Sequence, residues 1–172
     1  MDTSKINIYL SIIMIFFIVV ISSCKKDEAD TTDQDLYNMA KETNGFTWYK
    51  NSEDYLNKSI VSGHSFPFLR TRYNSIAAQY LDVNGKIAPG ALFGEGSLIV
   101  KELYNVTYVI QRYAILYKNA SNPNADANGW VWGYINADGT VAEPASNKGA
   151  GCISCHSETG NIDYMLMNEY FP

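Results

Sequence analysis

The sequence predicts an α+β fold in which helices pack against an antiparallel β-sheet. Three observations lead there. Residues 97–106, 108–118 and 130–135 are strand-like runs, rich in aromatic and β-branched residues. They follow one another without an intervening helical stretch, and parallel pairing would need such a crossover. On either side of them, apolar residues recur at helical spacing.

The chain has 172 residues with a formal net charge of −5, 47% hydrophobic and 13% aromatic. That length suits one domain with a substantial core. The acidic balance, with Arg70, Arg72 and Arg112 scattered, excludes a surface built to grip nucleic acid. Three cysteines are too few for a multi-disulfide scaffold.

Residues 6–21 form an almost wholly apolar run behind Lys5, followed by Ser22, Ser23 and Cys24. Such a run ending in small residues reads as a secretory signal over residues 1–23. The ending Ile21-Ser22-Ser23-Cys24 resembles a bacterial lipobox, where cleavage before the cysteine leaves it lipidated. Cys24 is then the lipid attachment and a membrane is a partner through it. The other reading is an uncleaved anchor with Cys24 an ordinary thiol. Lys25 after the cysteine resembles outer-membrane retention, at the periplasmic or cell-surface face. Residues 24–35 are acidic, lack apolar periodicity and read as a solvated tether, leaving residues 36–172 as the folded domain.

Residues 46–58 mix aromatic and polar side chains and are expected to be helical. Residues 70–81 place Tyr73, Ile76, Ala77, Tyr80 and Leu81 at helical spacing, with Thr71 or Asn74 as a cap. Gly85 supplies the positive φ of the stop that follows. Residues 97–106 then alternate Leu98, Val100 and Glu102 against Ile99, Lys101 and Leu103. Residues 108–118 are the second strand, and the Asn-rich stretch 119–129 is a surface connection. Residues 130–135 are the third, reaching a hairpin turn at Asp138-Gly139. The last 24 residues return to helical spacing, with Ile162, Met165, Leu166 and Glu169 following Asp163 as a cap.

Chemistry is concentrated in Cys152-Ile153-Ser154-Cys155-His156, a CxxCH motif. Two thiols at this spacing reach the two vinyl groups of a haem as thioethers, and the adjacent histidine becomes the proximal iron ligand. One motif means one covalently held haem c, near the C-terminus. Competing readings are a redox dithiol, which wants a βαβ scaffold, and a zinc site from His64, Cys152, Cys155 and His156. A disulfide across so short a loop would be strained. For the sixth iron position, His64 in a polar loop is a distal ligand or a satisfied pocket histidine. Met165 and Met167 follow His156 too closely to reach the opposite side and read as core. An open distal face is the expected state.

The stretch Gly94-Glu95-Gly96-Ser97-Leu98-Ile99-Val100-Lys101-Glu102-Leu103, then Gly129-Trp130-Val131-Trp132 and a C-terminal CxxCH, resembles the cytochrome P-460 family. The resemblance spans roughly residues 64–172. It implies an antiparallel sheet with packed helices around one c-type haem. It also implies a covalent link from Lys101 to the haem edge, since the family's cross-linking lysine occupies that place in the Val-Lys-Glu-Leu segment. A lysine on an otherwise apolar strand face wants explanation in any case, unless it snorkels to water.

The hydroxylamine-oxidising members carry a distal carboxylate on the following strand, where this chain has Arg112 or Tyr113. Proton removal from a bound nitrogen species needs a base, so this departure favours ligand capture over oxidation. Arg112 and Tyr113 would donate hydrogen bonds to a bound diatomic, or else pack across strands. Glu102 points away from Lys101 and reads as a surface or salt-bridge residue. Arg70 and Arg72 would pair haem propionates or stand as exposed charges. Trp130 and Trp132 share a face and wall the core or pocket. The resemblance implies a small nitrogen species or gas as ligand, hydroxylamine or nitric oxide, and electron exchange with a redox partner. Electron transfer alone and gas binding without turnover are the alternatives. Related β-sheet cytochromes c′ bind nitric oxide and carbon monoxide at an open iron, and relatives often pair through the sheet as homodimers.

Overall fold

The computed structural model describes residues 30–172. The signal segment, Cys24 and most of the expected tether lie outside them. Helix α1 spans Thr32–Lys41 and therefore takes in the last residues of the stretch that reads as a tether. Asp33 and Asp35 sit in its first turn and Lys41 in its last, which suits the helix dipole. Leu36 and Ala40, four residues apart, give it one buried stripe.

Seven strands form a single antiparallel sheet: β1 (Thr47–Trp48), β2 (Leu56–Asn57), β3 (Phe68–Tyr73), β4 (Leu98–Tyr104), β5 (Ile110–Lys118), β6 (Trp130–Asn136) and β7 (Val141–Glu143). Their order is β1-β3-β4-β5-β6-β7, with β2 also on β3. The expected antiparallel sheet is present, and β4, β5 and β6 fall where the alternating runs place them.

Both faces of the sheet are covered, so successive residues of β4 enter different cores. Leu98 and Val100 pack with Leu36 and Ala40 of α1, and with Ile115, Val131 and Ile135. Gly133 admits that helix, because a Cβ there would lie 2.9 Å from Cδ1 of Leu36. Ile99 and Leu103 pack on the other face with Leu69, Tyr73, Leu116, Trp130, Trp132, Met165 and Met167. Every β4 side chain is buried except Lys101, which is half-buried.

Three helical expectations fail. Residues 46–58 hold β1, a short 3₁₀ turn and β2, because Lys50 and Asn51 both take positive φ and no helix passes through two such residues. Within 70–81 the chain begins as β3 and then makes a 3₁₀ turn over Ala77–Tyr80. Asn74 Oδ1 accepts the amides of Ala77 and Leu98 there, tying that turn to β4. The C-terminal stretch keeps only α2 (Ile153–His156) and α3 (Met167–Tyr170), with positive φ at Gly160, Asp163 and Tyr164 between them. Asp163 is not a helix cap. Its carboxylate accepts from the Phe93 amide at 2.9 Å and from Trp130 Nε1 at 3.0 Å, and Lys118 stands 3.6 Å away.

The arginines of β3 stand inside the fold. Arg70 and Arg72 alternate with Leu69, Thr71 and Tyr73, and Arg72 is wholly buried. Arg72 Nε donates to Glu102 Oε1 at 3.0 Å and Arg70 Nη2 to Glu102 Oε2 at 2.9 Å. Arg72 also donates to the carbonyls of Ala40 and Glu42, closing α1 onto the sheet. Glu102 is thus an ion-pair residue as expected, but an interior one. Among the described residues no helix is long and apolar enough to cross a membrane.

Candidate functional site

On the Ile99–Leu103 face, the sheet and the C-terminal segment enclose a cavity of about 260 Å³. Its sheet wall is Ile99, Lys101, Ala114, Leu116, Trp132 and Tyr134; Met165, Leu166 and Met167 stand against it. His64, Cys152, Cys155 and His156 border the same space. The surroundings are mostly apolar with few polar groups, as small-molecule and cofactor sites generally are.

Local backbone chemistry brings the CxxCH motif there. Lys148 and Gly149 both take positive φ and reverse the chain. The Gly149 carbonyl then accepts the amides of Cys152 and Ile153, at 2.8 and 2.9 Å, which starts α2. A Cβ on Gly149 would lie 2.6 Å from Trp132 Nε1, so only glycine lets the loop lie on that indole. One helical turn places Cys152 and His156 four residues apart on one side. Both thiols are free, Cys152 half-buried and Cys155 exposed. Burial first, then the charge of Glu143, raises the proton affinity of Cys152. That opposes the reading as a reactive dithiol, which needs a stabilised thiolate.

His156 is oriented by backbone. Its Nδ1 lies 2.7 Å from the carbonyl oxygen of Tyr164. A carbonyl only accepts, so Nδ1 carries the proton and the neutral ring keeps its lone pair on Nε2. Burial, followed by the charge of Lys101, lowers His156 to about 4, which holds the ring neutral. Trp132 meets it edge-on at 5.2 Å between ring centroids. The Tyr164 carbonyl is presented by a tight turn in which Ile162 and Met165 exchange two backbone hydrogen bonds of 2.9 Å. Asp163 and Tyr164, at its centre, have φ of 46° and 70°. These values resemble a type I′ turn, unusual for residues other than glycine or asparagine.

Lys101 projects into the cavity, flanked across the sheet by Thr71 and Ala114. Its Nζ is 3.5 Å from Nε2 of His64. Burial lowers it to about 8. His64 has Nδ1 at 3.4 Å from the Tyr134 hydroxyl and its ring centroid 6.4 Å from that of His156. Burial, aided by Lys101, drives its proton affinity far down, so it too is neutral.

The expected site residues do not all converge. Lys101, Cys152, Cys155 and His156 do, and His64 joins them. Arg112 shares the cavity face of β5 but sits behind Tyr134. Its Nε donates to Asn136 Oδ1 at 2.7 Å and its guanidinium lies 4.5 Å from the Tyr134 ring. Tyr113 is on the opposite face, against Tyr37 and in the α1 core, and faces no ligand space. Pleating separates it from Ala114 and Leu116. Arg70 and Arg72 are also on that far face, held by Glu102, and reach no group in the cavity.

Sequence reasoning missed Tyr134, which the Trp130-Val131-Trp132 alternation places two residues further on the same face. It also missed the Tyr164 carbonyl, which no side-chain pattern marks. Among the described residues, the one carboxylate at the cavity wall is Glu143, an exposed residue near Cys152.

Among the described residues, no group of three or more His, Cys, Asp and Glu side chains is arranged to hold a bare metal ion. A zinc site from His64, Cys152, Cys155 and His156 is not assembled. No family model, curated protein or solved structure matches the chain.

Proposed function

We propose that this domain is a monohaem c-type cytochrome that binds and redox-converts a small nitrogen species, hydroxylamine or nitric oxide. One observation carries the reading. The CxxCH motif, with both thiols free, borders an apolar cavity into which a neutral histidine faces, its Nδ1 already fixed by a carbonyl. That second hydrogen bond is the usual companion of a metal-ligating histidine, since it sets the tautomer and the ring angle. These residues fit a covalently held haem. Cys152 and Cys155 would hold its thioethers and His156 its iron, while Trp132 and the Met165–Met167 segment would exclude water around it.

The haem iron would supply reversible one-electron redox chemistry and a binding position for a diatomic or hydroxylamine. The chain's own residues would set what happens beside it. Lys101 is the candidate for the cross-link that the cytochrome P-460 resemblance implies. Its lowered proton affinity would help to present the free amine there, and the link would still need a two-electron oxidant to take the electrons released as a C–H and an N–H bond give way to C–N. Arg112 would act through Tyr134, by stacking, and not on a ligand directly. The chain would sit at the outer membrane through a lipid on Cys24, at the periplasmic or cell-surface face. It would exchange electrons with a soluble or membrane redox partner, as a monomer or a homodimer.

A second reading, gas binding without turnover, is favoured by one feature. Beside Lys101 the described residues of the cavity wall include no carboxylate to take protons from a bound nitrogen species, Glu143 being exposed near Cys152. Optical titration of the ferrous protein with nitric oxide and carbon monoxide, then hydroxylamine turnover with an electron acceptor, tests both. A ligand-perturbed spectrum with turnover supports the enzyme, and a perturbed spectrum with zero rate supports the binder. An unperturbed spectrum would leave electron transfer as the function.

A further inference from the structure

We infer that His64 is a displaceable axial ligand: facing His156 across the cavity, it closes the site when no small ligand is present. The inference rests on the haem reading, replaces the open distal face expected from the sequence with a closed resting state, and names how access to that site is controlled.

Three observations carry it. Two imidazoles on opposite sides of one metal ion, with metal–nitrogen bonds of about 2 Å, place their ring centroids roughly 6 Å apart. His64 and His156 stand at 6.4 Å, with ring planes at 79°. Next, the two rings are held alike: Nδ1 of each meets an oxygen, the Tyr164 carbonyl for His156 and the Tyr134 hydroxyl for His64. With Nδ1 of His64 donating to that hydroxyl, its Nε2 is left as an acceptor. Third, this nitrogen is turned into the cavity, where its one polar neighbour among the described residues is Nζ of Lys101 at 3.5 Å.

The same contacts make the ring displaceable. Both are at the long limit for hydrogen bonds, 3.4 and 3.5 Å. His64 lies on the loop between β2 and β3, where a Cβ on the preceding Gly63 would meet nothing within 4 Å. By contrast His156 is anchored at 2.7 Å on a helix turn. An incoming diatomic would therefore replace the His64 nitrogen on iron, and His156 would stay.

The test uses lipid-free, haem-loaded wild type and His64→Ala, with haem attachment to the Cys152–Cys155 peptide checked by mass spectrometry. Ferric wild type is expected to show the optical and electron paramagnetic signature of a low-spin, two-histidine iron. His64→Ala is expected to lose it and to regain it on addition of imidazole. Ferrous His64→Ala should also bind carbon monoxide at least about tenfold more tightly, because no internal ligand has to leave. A high-spin ferric wild type with haem attached would overturn this inference and leave the haem reading standing. So would a low-spin spectrum unchanged in His64→Ala. Absence of haem from the peptide would overturn both.

Discussion

The carbonyl of Tyr164 and the imidazole of His156, eight residues apart, form the shortest polar contact at the candidate iron ligand, 2.7 Å. The carbonyl faces that way because Asp163 and Tyr164 turn the chain through positive φ. The turn is secured by the Asp163 carboxylate, which holds Trp130 Nε1 and the Phe93 amide. The turn that presents a carbonyl to His156 is thus fastened by an aspartate that neither touches that ring nor lines the cavity.

Asp163→Ala is expected to lower stability by about 2–6 kcal/mol, since it strands a buried indole N–H and an amide at about 1–3 kcal/mol each. Urea unfolding checks the magnitude. A loss of haem incorporation beyond what the lost stability explains would show that the turn also positions His156.

Glu102→Gln is expected to cost about 3–5 kcal/mol, because it leaves the buried Arg72 guanidinium without its counter-charge. Replacing Glu102 and Arg72 together by apolar residues should cost much less. A double-mutant cycle by urea unfolding measures the coupling, which is expected to be large.

These two networks mark where the sequence was hard to read. β4, β5 and β6 were legible because alternation in β4 and aromatic, β-branched content in all three are local signals, and the Asp138-Gly139 turn because glycine there takes φ of 90°. β3 was not: Arg70 and Arg72 look like a solvated helix face until Glu102, thirty residues later, neutralises them inside the fold. The positive φ of Lys50, Asn51, Asp163 and Tyr164 broke two expected helices without a glycine to announce it. At the site, the CxxCH spacing is local and could be read outright. Of the two readings of Tyr113, packing across the sheet is the one the structure shows, because neighbouring residues of β5 take opposite faces. The nearness of His64 depends on how the β2–β3 loop folds over the sheet, which no spacing encodes.

Lys101 makes the stability of the cofactor-free protein depend on alkali in a definite direction. Its folded value of about 8 is below the ordinary 10.5, so between these the unfolded chain binds more protons. Stability from this group therefore rises as pH increases from about 8 to 10.5 and is lower below that window. Lys101→Met removes the titration. The wild-type-minus-variant difference in unfolding free energy should rise across the window, and a flat difference would contradict the burial of the ammonium.

His156 works at the acid end. Its folded value of about 4 is below 6.5, so the cofactor-free protein loses stability as pH falls from 6.5 towards 4. His64, lowered in the same sense, adds to this loss. Denaturant midpoints between pH 4 and 7 check it, and His64→Leu should flatten the profile.

Gly149→Ala would drive a Cβ to 2.6 Å from Trp132 Nε1 at a φ of +72°. The indole would have to leave Asp126 and its place against His156. The variant is expected to lose about 2 kcal/mol or more of stability. It should also attach less haem than Gly151→Ala, where a Cβ meets nothing within 4 Å.

The most direct measurement is peptide-mapping mass spectrometry on protein matured in a host that attaches c-type haem. The expected result is haem mass on the peptide carrying Cys152 and Cys155, with the Lys101 peptide joined to it where the cross-link forms. Haem on the cysteine peptide alone would keep the cytochrome and remove the Lys101 link. A cysteine peptide carrying no haem would contradict the cytochrome reading altogether.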